Sequence, residues 1–373
     1  MMWMPRVDLV STLKQNHYEN FFRKTSVFSL PSDKPSLTDL LANIRQELGD
    51  LDRLLTDHLD DALPMFKDVS LHLMGGGGKR LRPSLLFVCA KLFGDVSQDH
   101  IKGAMCIELI HNATLLHDDV LDRSSVRRGR PTAHHLWTES HSILTGDFLL
   151  CKALELLTDI ENWDAVRLVH KAATYVIQGQ ALEMTPPPGS IGEQEAHYEK
   201  VIMLKTAPLF EASAGLAGIL GDPVLINQKT ALQTFGHHLG IAFQLIDDIL
   251  DYRGQENVIG KKPGQDFREK KVTLPVIVAF QQGTPDEQAF WTRVFLEDAT
   301  HDPASLAQEG QDDDFHHALT LLEKHDAFKQ VLHKAKSCAV QAKEALSFCD
   351  QSVQDALGHM FDVIQEPLLN EAQ

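Results

Sequence analysis

The sequence predicts an all-α fold, and three observations support this prediction. Long stretches contain no proline, whose ring breaks helix interiors and strands alike. They cover residues 84–130, 132–185, 224–262 and 304–366. Within them, apolar residues recur at spacings of three and four, which is typical of helices with a buried face. Runs that alternate apolar and polar residues, as strands do, are few, so we expect long helices around a common core.

The clearest predicted helix covers residues from about 98 to 122. Ser97 can cap its N-terminus, and Asp99 falls in the first turn, where the helix dipole favours negative charge. Apolar residues from Ile101 to Val120 cover most of its sides rather than a single stripe. A helix that is apolar nearly all round is buried, so we expect this one to be buried.

Clusters of glycine, proline and small polar residues predict the loops between helices. The acidic run at 309–314 is expected to be a solvated surface loop. The predicted loops are PSDKPS (31–36), GGGG (75–78), RRGRPT (127–132), PPPGS (186–190), GDP (221–223), GKKPG (260–264) and EGQDDD (309–314).

Composition restricts the class of protein. Of the 373 residues, 43% are hydrophobic, which is enough to bury a sizeable core. Lys and Arg number 35 against 52 Asp and Glu, giving a formal net charge of −17. This charge opposes binding to nucleic acids and anionic lipid surfaces, so we expect no nucleic-acid partner and only local binding of phosphate. Length alone would allow more than one domain.

Cysteine usage and hydropathy indicate a cytoplasmic protein. The five cysteines are scattered without a C-x-x-C pair, which argues against disulfides or a thiolate zinc site and fits a reducing compartment. No run approaches about 18 uninterrupted apolar residues, so no membrane span is predicted. Residues 1–35 lack the apolar centre of a signal peptide. We predict a flexible arm there, and an organelle-targeting segment is the alternative.

An aspartate cluster follows the central apolar helix, in the sequence LLHDDVLDR (115–123). Asp118 and Asp122 are four residues apart and so project from one face of a helix, with Asp119 to the side. Carboxylates this close at a helix C-terminus repel each other and the helix dipole unless a cation lies among them. Magnesium suits them, because it binds carboxylates together with substrate phosphates. One such cluster alone is also compatible with an exposed acidic helix end.

The aspartate pattern repeats in FQLIDDILDY (243–252), where Asp247, Asp248 and Asp251 lie among apolar residues. At least one side of this helix must be buried, so the triplet cannot simply be a solvated face. Two copies of the pattern predict a cavity between two helices whose carboxylates hold several magnesium ions around a polyphosphate.

Cationic residues flank both clusters, although the protein is acidic overall. Arginine offers a planar fork to phosphate oxygens and lysine a point charge, so these groups suit direct binding of diphosphates. GGGGKR is not a nucleotide-binding loop, because Arg80 stands where a Ser or Thr would hold the nucleotide's magnesium. The flanking cations are Lys79, Arg80, Arg82, Arg127, Arg128, Lys205, Lys261, Lys262, Lys270 and Lys271.

Taken together, these motifs resemble the ordered motif set of trans-isoprenyl diphosphate synthases, especially the long-chain polyprenyl group. The resemblance implies one all-α helical domain over 36–366 around a deep central cavity, with an arm over 1–35 and a tail over 367–373. It also implies a homodimer with at most peripheral membrane contact for product release. The motifs are GGGGKRLRP (75–83), HNATLLHDDVLDRSSVRRGRPT (111–132), GDFLL (146–150), KTAPLFEASAG (205–215), FQLIDDILDY (243–252) and GKKPGQDFREKKVTLP (260–275).

The resemblance assigns roles to these motif residues. The diphosphate of isopentenyl diphosphate would be bound by Lys79, Arg82, His111 and Arg128. An allylic substrate such as farnesyl or geranylgeranyl diphosphate would be served by Arg127, Lys205, Thr206, Gln244 and Lys261, and Lys271 would also bind substrate. Thr206 and Gln244 would direct oxygen lone pairs toward an allylic cation. About three Mg²⁺ ions would be held by Asp118, Asp119, Asp122, Asp247, Asp248 and Asp251, and catalysis would depend on these aspartates and Lys205.

Product length depends on the helix before the first cluster. Ala113 and Thr114 lie just over one turn before Asp118, where a growing tail must pass. Small residues there leave the passage open, which predicts a long polyprenyl product, and Phe148 is a candidate floor of the passage. The resemblance implies that this product supplies a quinone side chain. One residue departs from the pattern. Lys270 stands where the family usually has glycine, which puts the role of Lys271 in doubt.

Other readings remain open from the sequence. His117 beside Asp118 is typical of metal phosphohydrolases of HD type, although that function leaves the second aspartate cluster unexplained. A shorter-chain synthase of geranylgeranyl type, a catalytically silent subunit and a terpene cyclase are further alternatives. The histidine doublets at 134–135, 237–238 and 316–317 are expected to be incidental rather than zinc sites.

Overall fold

Helices make up nearly all of the structure, a computed structural model, so the predicted all-α fold is confirmed. No helix among the described residues is long and apolar enough to cross a membrane. The structure describes residues 42–76, 80–185, 187, 189–221, 229–254, 263–297, 308–349 and 351–370.

Within the described ranges, a 3₁₀ turn, Ile191–Glu193, and a π-helical turn, Arg293–Glu297, lie between α-helices. The α-helices are α1 (Arg45–Asp57), α2 (Pro64–Met74), α3 (Leu81–Phe93), α4 (Gln98–Leu121), α5 (Ala133–Leu136), α6 (Glu139–Asp159), α7 (Trp163–Glu183), α8 (Glu195–Lys205), α9 (Ala207–Leu220), α10 (Lys229–Arg253), α11 (Gln265–Arg268), α12 (Leu274–Gln282), α13 (Pro285–Thr292), α14 (Gln308–Lys324), α15 (Ala327–Ala345) and α16 (Gln351–Asn370).

The buried helix predicted over about 98–122 is α4, and its boundaries are confirmed. Ser97 caps it: the Ser97 Oγ accepts from the backbone N of His100 at 3.3 Å, while His100 Nδ1 accepts from the Ser97 backbone N at 3.0 Å. Most of its residues between His100 and Leu116 are buried, because it packs against α6 on one side and against α3 and α9 on others.

The second aspartate sequence lies near the end of α10, which packs against α9 and α15. Apolar residues such as Leu245 and Ile249 bury one side of it and fix its rotation. The adjacent residues Lys205 and Thr206 contact Asp118 on α4 and Gln244 on α10, respectively. The fold therefore brings together two sequence motifs that are far apart in the chain.

A short antiparallel hairpin follows α4, formed by β1 (Val126–Arg127) and β2 (Arg130–Pro131). The two residues between the strands, Arg128 and Gly129, have φ angles of 53° and 71°. Positive φ at both positions is typical of the tight type I′ turn, whose twist matches paired strands. The predicted loop RRGRPT therefore forms this hairpin, and Arg128 is the first residue of its turn.

Two expectations are changed by the structure. The acidic run 309–314 belongs to α14 and is not a loop. Its acids occupy the first turns of that helix, where the helix dipole favours negative charge, and Asp314 accepts from Arg293 Nη2 at 2.7 Å. In addition, α16 continues to Asn370, into the stretch 367–373 that we assigned to a tail. The predicted arm 1–35 lies outside the described residues.

Candidate active site

The first aspartate cluster lies at the C-terminal end of α4, and each of its carboxylates faces a cation from another part of the chain. The three side chains point in different directions, as the helical spacing predicts: Asp118 and Asp122 share a face, and Asp119 turns toward the hairpin. The pairs are Asp118 Oδ2 with Lys205 Nζ at 3.6 Å, Asp119 Oδ1 with Arg127 Nε at 2.7 Å, and Asp122 Oδ2 with Lys271 Nζ at 2.8 Å.

Burial makes these carboxylates costly to ionise. It raises the pKa of Asp118 and of Asp119, while Lys205 and Arg127 act in the opposite direction on their respective partners. Asp119 is only 1% exposed, so its ion pair with Arg127 is well shielded from water. A buried, ionised carboxylate is stabilised by a neighbouring cation, and Lys205 and Arg127 are the cations beside Asp118 and Asp119.

The second cluster is divided between solvent and the interior. Asp247 is exposed, whereas Asp248 and Asp251 are buried. Asp248 accepts hydrogen bonds from the Tyr198 hydroxyl and from Gln244 Nε2, the latter at 2.8 Å. Burial is the main reason why the pKa of Asp248 is raised to about 7. The inner carboxylate of this cluster is therefore held in place by two neutral donors.

A corner between α8 and α9 joins the two clusters. Lys205, the last residue of α8, faces Asp118 of the first cluster. The next residue, Thr206, donates from Oγ1 to Gln244 Oε1 at 2.8 Å, and Gln244 in turn donates to Asp248 of the second cluster. Because adjacent residues contact both helices, the two aspartate clusters flank one common site.

Two of the residues proposed to bind isopentenyl diphosphate, Arg82 at the start of α3 and His111 on α4, lie together. Arg82 Nη1 is 3.3 Å from His111 Nε2, and its guanidinium lies over the Phe210 ring, 4.7 Å from the centroid. Burial lowers the pKa of Arg82 to about 10, so the side chain stays charged at neutral pH. Burial and the neighbouring arginines hold the pKa of His111 well below its ordinary value, which keeps this histidine neutral.

Arg128 belongs to the same group. Burial and the nearby Arg127 lower the pKa of Arg128, because both disfavour its positive charge. A bound anion would stabilise that charge. The φ of 53° at Arg128 is strained for a residue with a side chain. Arg80, by contrast, is committed to acidic partners: Nη1 lies 2.5 Å from Glu108 Oε2, and Nη2 lies 2.9 Å from Asp52 Oδ1.

The segment after α11 reaches across to α4. Lys271 pairs with Asp122 and, at 2.9 Å, with Glu269. Glu269 also accepts from Ser124 Oγ at 3.3 Å. Lys270 has a φ of 58°, the left-handed region that glycine adopts without strain. The structure thus gives a physical reason for glycine at this position, and it still directs Lys271 to the first cluster.

The remaining predicted residues are placed as follows. Ala113 is fully buried in α4, and Thr114 Oγ1 donates to the His111 carbonyl at 2.8 Å. Phe148 on α6 stacks on Phe66 of α2, with ring centroids 4.5 Å apart. Lys79 and Lys261 lie outside the described residues.

Several residues of the site belong to no sequence motif that would have identified them as site residues. Glu183 on α7 pairs with Lys205 Nζ at 2.6 Å, and Glu108 pairs with Arg80 inside the protein. Tyr198 on α8 donates to Asp248. Gly179 and Glu183 both contact Lys205. Their spacing of four residues places them on one face of the helix, and this spacing is the sequence pattern that could have indicated their role.

The donor set suits a hard divalent cation. Both clusters offer carboxylate oxygens, the ligands that Mg²⁺ takes in proteins. Across the described parts of the chain, no three His, Cys, Asp or Glu side chains already form a metal cage, so a bound ion would take part of its shell from substrate phosphates and water. His117 is turned away from the carboxylates: its Nε2 is 3.0 Å from the Ile143 carbonyl and 3.6 Å from Asp147 Oδ1 on α6.

Comparisons with known proteins agree with this geometry. The family model described as polyprenyl synthetase matches residues 63–309. Octaprenyl diphosphate synthase of Escherichia coli is 37% identical over 68% of this chain and 77% of that protein. Geranylgeranyl diphosphate synthase of Methanosarcina mazei is 38% identical over 60% of this chain and 72% of that protein.

A solved structure supports the same relationship. Polyprenyl synthase from Caulobacter crescentus, complexed with calcium and isoprenyl diphosphate, superposes with a TM-score of 0.80 at 33% identity. The superposition covers 90% of this chain and 98% of the Caulobacter chain.

Proposed function

The chain belongs to the polyprenyl synthetase family and is a prenyltransferase, and from this premise we propose that it makes a long all-trans-polyprenyl diphosphate. It would do so by adding isopentenyl diphosphate units, head to tail, to an allylic diphosphate in the presence of Mg²⁺. The observation that carries this proposal is the Lys205–Thr206 corner. Lys205 faces Asp118 of the first cluster, and Thr206 donates to Gln244, which in turn donates to Asp248 of the second cluster. A second cationic group beside it, around Arg82 and His111, suits a second diphosphate.

The allylic diphosphate would bind between the two clusters. Asp118, Asp119 and Asp122 on one side and Asp247, Asp248 and Asp251 on the other would hold about three Mg²⁺ ions. When bound, Mg²⁺ neutralises the charge that develops on a departing diphosphate. The same diphosphate would be contacted directly by Arg127, Lys205 and Lys261, with Lys271 beside them.

Isopentenyl diphosphate would occupy the group formed by Lys79, Arg82, His111 and Arg128. Arg82 offers a planar, charged fork that is held flat against Phe210. The neutral His111 can donate one hydrogen bond without adding charge. This group fixes the second substrate beside the allylic carbon, so that the reaction becomes effectively unimolecular.

The chemistry follows from this arrangement. The carbon–oxygen bond of the allylic diphosphate breaks, and the cationic side chains stabilise the leaving diphosphate. The double bond of isopentenyl diphosphate attacks the resulting allylic cation. Loss of a proton, with the departed diphosphate as the proposed base, completes a product lengthened by one isoprene unit. Buried walls exclude water, which would otherwise capture the cation as an alcohol.

The length of the product is argued from Ala113. Ala113 is fully buried on α4, just over one turn before Asp118. We propose that a growing tail passes this position, where a methyl group is too small to stop it. The octaprenyl relative supports a long product, and the equally similar geranylgeranyl relative makes a shorter chain the alternative. A long polyprenyl chain fits a quinone side chain, which is the pathway we propose.

Replacing Ala113 tests the length proposal. Ala113→Phe should place a ring in the passage and shift the products to shorter chains, while Ala113→Gly should leave the distribution unchanged. Product chains are separated by reversed-phase chromatography after removal of the diphosphate. An unaltered distribution in the phenylalanine variant would contradict the placement of the passage.

The function itself is tested by incubation with farnesyl diphosphate, isopentenyl diphosphate and Mg²⁺, followed by analysis of lipid chain length. We expect elongated polyprenyl diphosphates and no product when the divalent ion is chelated. Release of phosphate without any elongated lipid would refute the proposal and favour a phosphohydrolase. The orientation of His117 toward α6, rather than toward the aspartates, already disfavours that alternative.

We also propose that the protein is a homodimer in the cytoplasm. α6 carries exposed apolar side chains at Leu144 and Leu154 together with the exposed Cys151, and their spacing places them on one face. A second copy of the chain would cover this face.

A further inference from the structure

Gln180 on α7 has an unusual environment. Both its amide oxygen and its amide nitrogen are buried, and neither has a hydrogen-bond partner among the described residues. Leaving a buried polar atom unsatisfied costs roughly 1–3 kcal/mol, so such groups are uncommon and need an explanation. A primary amide with both ends unpaired indicates that a molecule other than the protein completes its hydrogen bonding.

The position of Gln180 is set by its neighbours. Gly179, immediately before it, touches the backbone of Lys205: a Cβ atom at residue 179 would lie 2.4 Å from the Lys205 nitrogen. Glu183, one turn later, accepts from Lys205 Nζ at 2.6 Å. Gln180 therefore lies on the stretch of α7 that holds Lys205, and Lys205 faces Asp118 of the first cluster.

The other amide of the site is already engaged. Gln244 accepts at Oε1 from Thr206 and donates at Nε2 to Asp248, both at 2.8 Å. Its carbonyl dipole is thus directed at Thr206, where the resemblance had suggested that it would face an allylic cation. Among the described residues, Gln180 is the one glutamine with a buried amide oxygen that has no donor.

We propose that Gln180 is a further substrate-contacting residue, whose amide oxygen faces the allylic carbons of the bound diphosphate. The inference rests on the proposed prenyl transfer and deepens it. A neutral carbonyl dipole stabilises positive charge in a site closed to water, and it is too weak a nucleophile to capture the cation as a carboxylate would. Gln180 forms no bond and transfers no proton; the charge leaves with the proton lost from the new isoprene unit.

The test compares two inhibitors of the same shape. One is an allylic diphosphate analogue with an ammonium group at the reacting carbon, which mimics the cation. The other, the uncharged analogue, is a thiolodiphosphate that carries no positive charge at that carbon. We expect Gln180→Leu to weaken binding of the ammonium analogue about tenfold or more, with binding of the uncharged analogue changed by less than about twofold. Isothermal titration calorimetry in the presence of Mg²⁺ measures both affinities without turnover.

Two further variants complete the experiment. Gln178→Leu removes an exposed glutamine from the same helix and should change neither affinity. Gln180→Glu keeps the shape and adds negative charge, so it should favour the ammonium analogue over the uncharged one, and it decides the question if the leucine variant does not fold. Equal loss of both affinities in the leucine variant, or no loss of either, would overturn the proposal. Elongation by the wild-type protein is measured in parallel, so a failure of the proposed function is recognised separately.

Discussion

Burial sets the charge of the residues that we expect to bind diphosphate. Arg82 keeps its proton because arginine starts from a pKa of 12.5 and burial lowers it only to about 10. His111, which starts from 6.5, is neutral because burial and the surrounding guanidinium groups lower its pKa further. Of these two residues, Arg82 therefore keeps its charge at neutral and mildly alkaline pH, and His111 does not carry one.

This difference predicts a pH effect when Arg82 is replaced by lysine. The same burial would lower the pKa of a lysine below its ordinary value of about 10.4, so Arg82→Lys loses its charge at a mildly alkaline pH where arginine keeps it. We expect the KM for isopentenyl diphosphate to rise between pH 7 and pH 9 in the variant and to stay level in the wild type. The KM for the allylic diphosphate serves as the internal control. Parallel profiles for the two proteins would show that Arg82 does not bind this substrate.

Lys270 has a left-handed backbone, with a φ of 58°, and this conformation costs a residue with a side chain roughly 1–2 kcal/mol. Its ammonium lies 5.5 Å from the centre of the Phe267 ring, and this cation–π contact partly offsets the strain. Two substitutions separate the backbone strain from the cation–π contact. Lys270→Gly removes the strain, and Lys270→Ala keeps the strain while losing the cation–π contact.

We therefore expect Lys270→Gly to be more stable than Lys270→Ala by about 1 kcal/mol, measured as the free energy of unfolding in urea. Elongation activity should be retained in both variants, because Lys271 keeps its partners. Equal stability of the two variants would mean that the local backbone is not strained.

At the scale of elements, the close approach of α7 and α8 holds Lys205. A Cβ at residue 179 would lie 2.4 Å from the Lys205 nitrogen and 2.7 Å from the carbonyl carbon of Leu204, and backbone atoms cannot rotate away as side chains can. Gly179 thus permits the contact that brings Lys205 to Asp118 and Glu183.

Gly179→Ala should separate the two helices and displace Lys205. We expect a loss of about 1–3 kcal/mol in the free energy of unfolding and a fall in kcat. Gly358 on α16 provides a matched control, because an added Cβ there meets nothing within 4 Å. Gly358→Ala should leave activity unchanged and raise stability by up to about 1 kcal/mol. Wild-type activity in Gly179→Ala would show that Lys205 needs no such support.

The sequence was most informative where a local rule and the tertiary packing agree. The boundaries of α4 followed from Ser97 and the apolar pattern, and the shared face of Asp118 and Asp122 followed from helical spacing. The acidic run 309–314 was wrongly predicted as a loop, because the same residues are favourable in the first turns of a helix. The contact of Tyr198 with Asp248 joins helices that are distant in sequence, and spacing rules carry no information about such contacts.

Across the whole molecule, one site is assembled from distant parts of the chain. Lys271 reaches Asp122 on α4, and the Lys205–Thr206 corner connects α4 with α10. The two aspartate motifs therefore belong to one helical unit, although the length of the chain alone would have allowed two domains. The net charge of −17 includes the carboxylates of this site, so in the function that we propose, part of the acidic excess would bind cations and, through them, diphosphates.

The exposed face of α6 leads to a prediction about assembly. Leu144 and Leu154 are 51% and 55% exposed, and a face with large apolar side chains is costly in water unless another surface covers it. In a two-fold dimer the same face of each copy would pack against its partner, so one substitution acts twice at the interface. The wild-type protein should sediment as twice the 41.7 kDa monomer.

We expect Leu144→Glu combined with Leu154→Glu to sediment as a monomer, because the added carboxylates would be buried and would repel across the two-fold axis. Val340 on α15 is 56% exposed on a different helix, so Val340→Glu is the control that should remain dimeric. Circular dichroism confirms that each variant is folded. In the wild type and in Val340→Glu, but not in the double variant, the unfolding temperature should rise with protein concentration, since dimerisation stabilises the folded chain. A double variant that keeps the dimer mass would place the interface on another face.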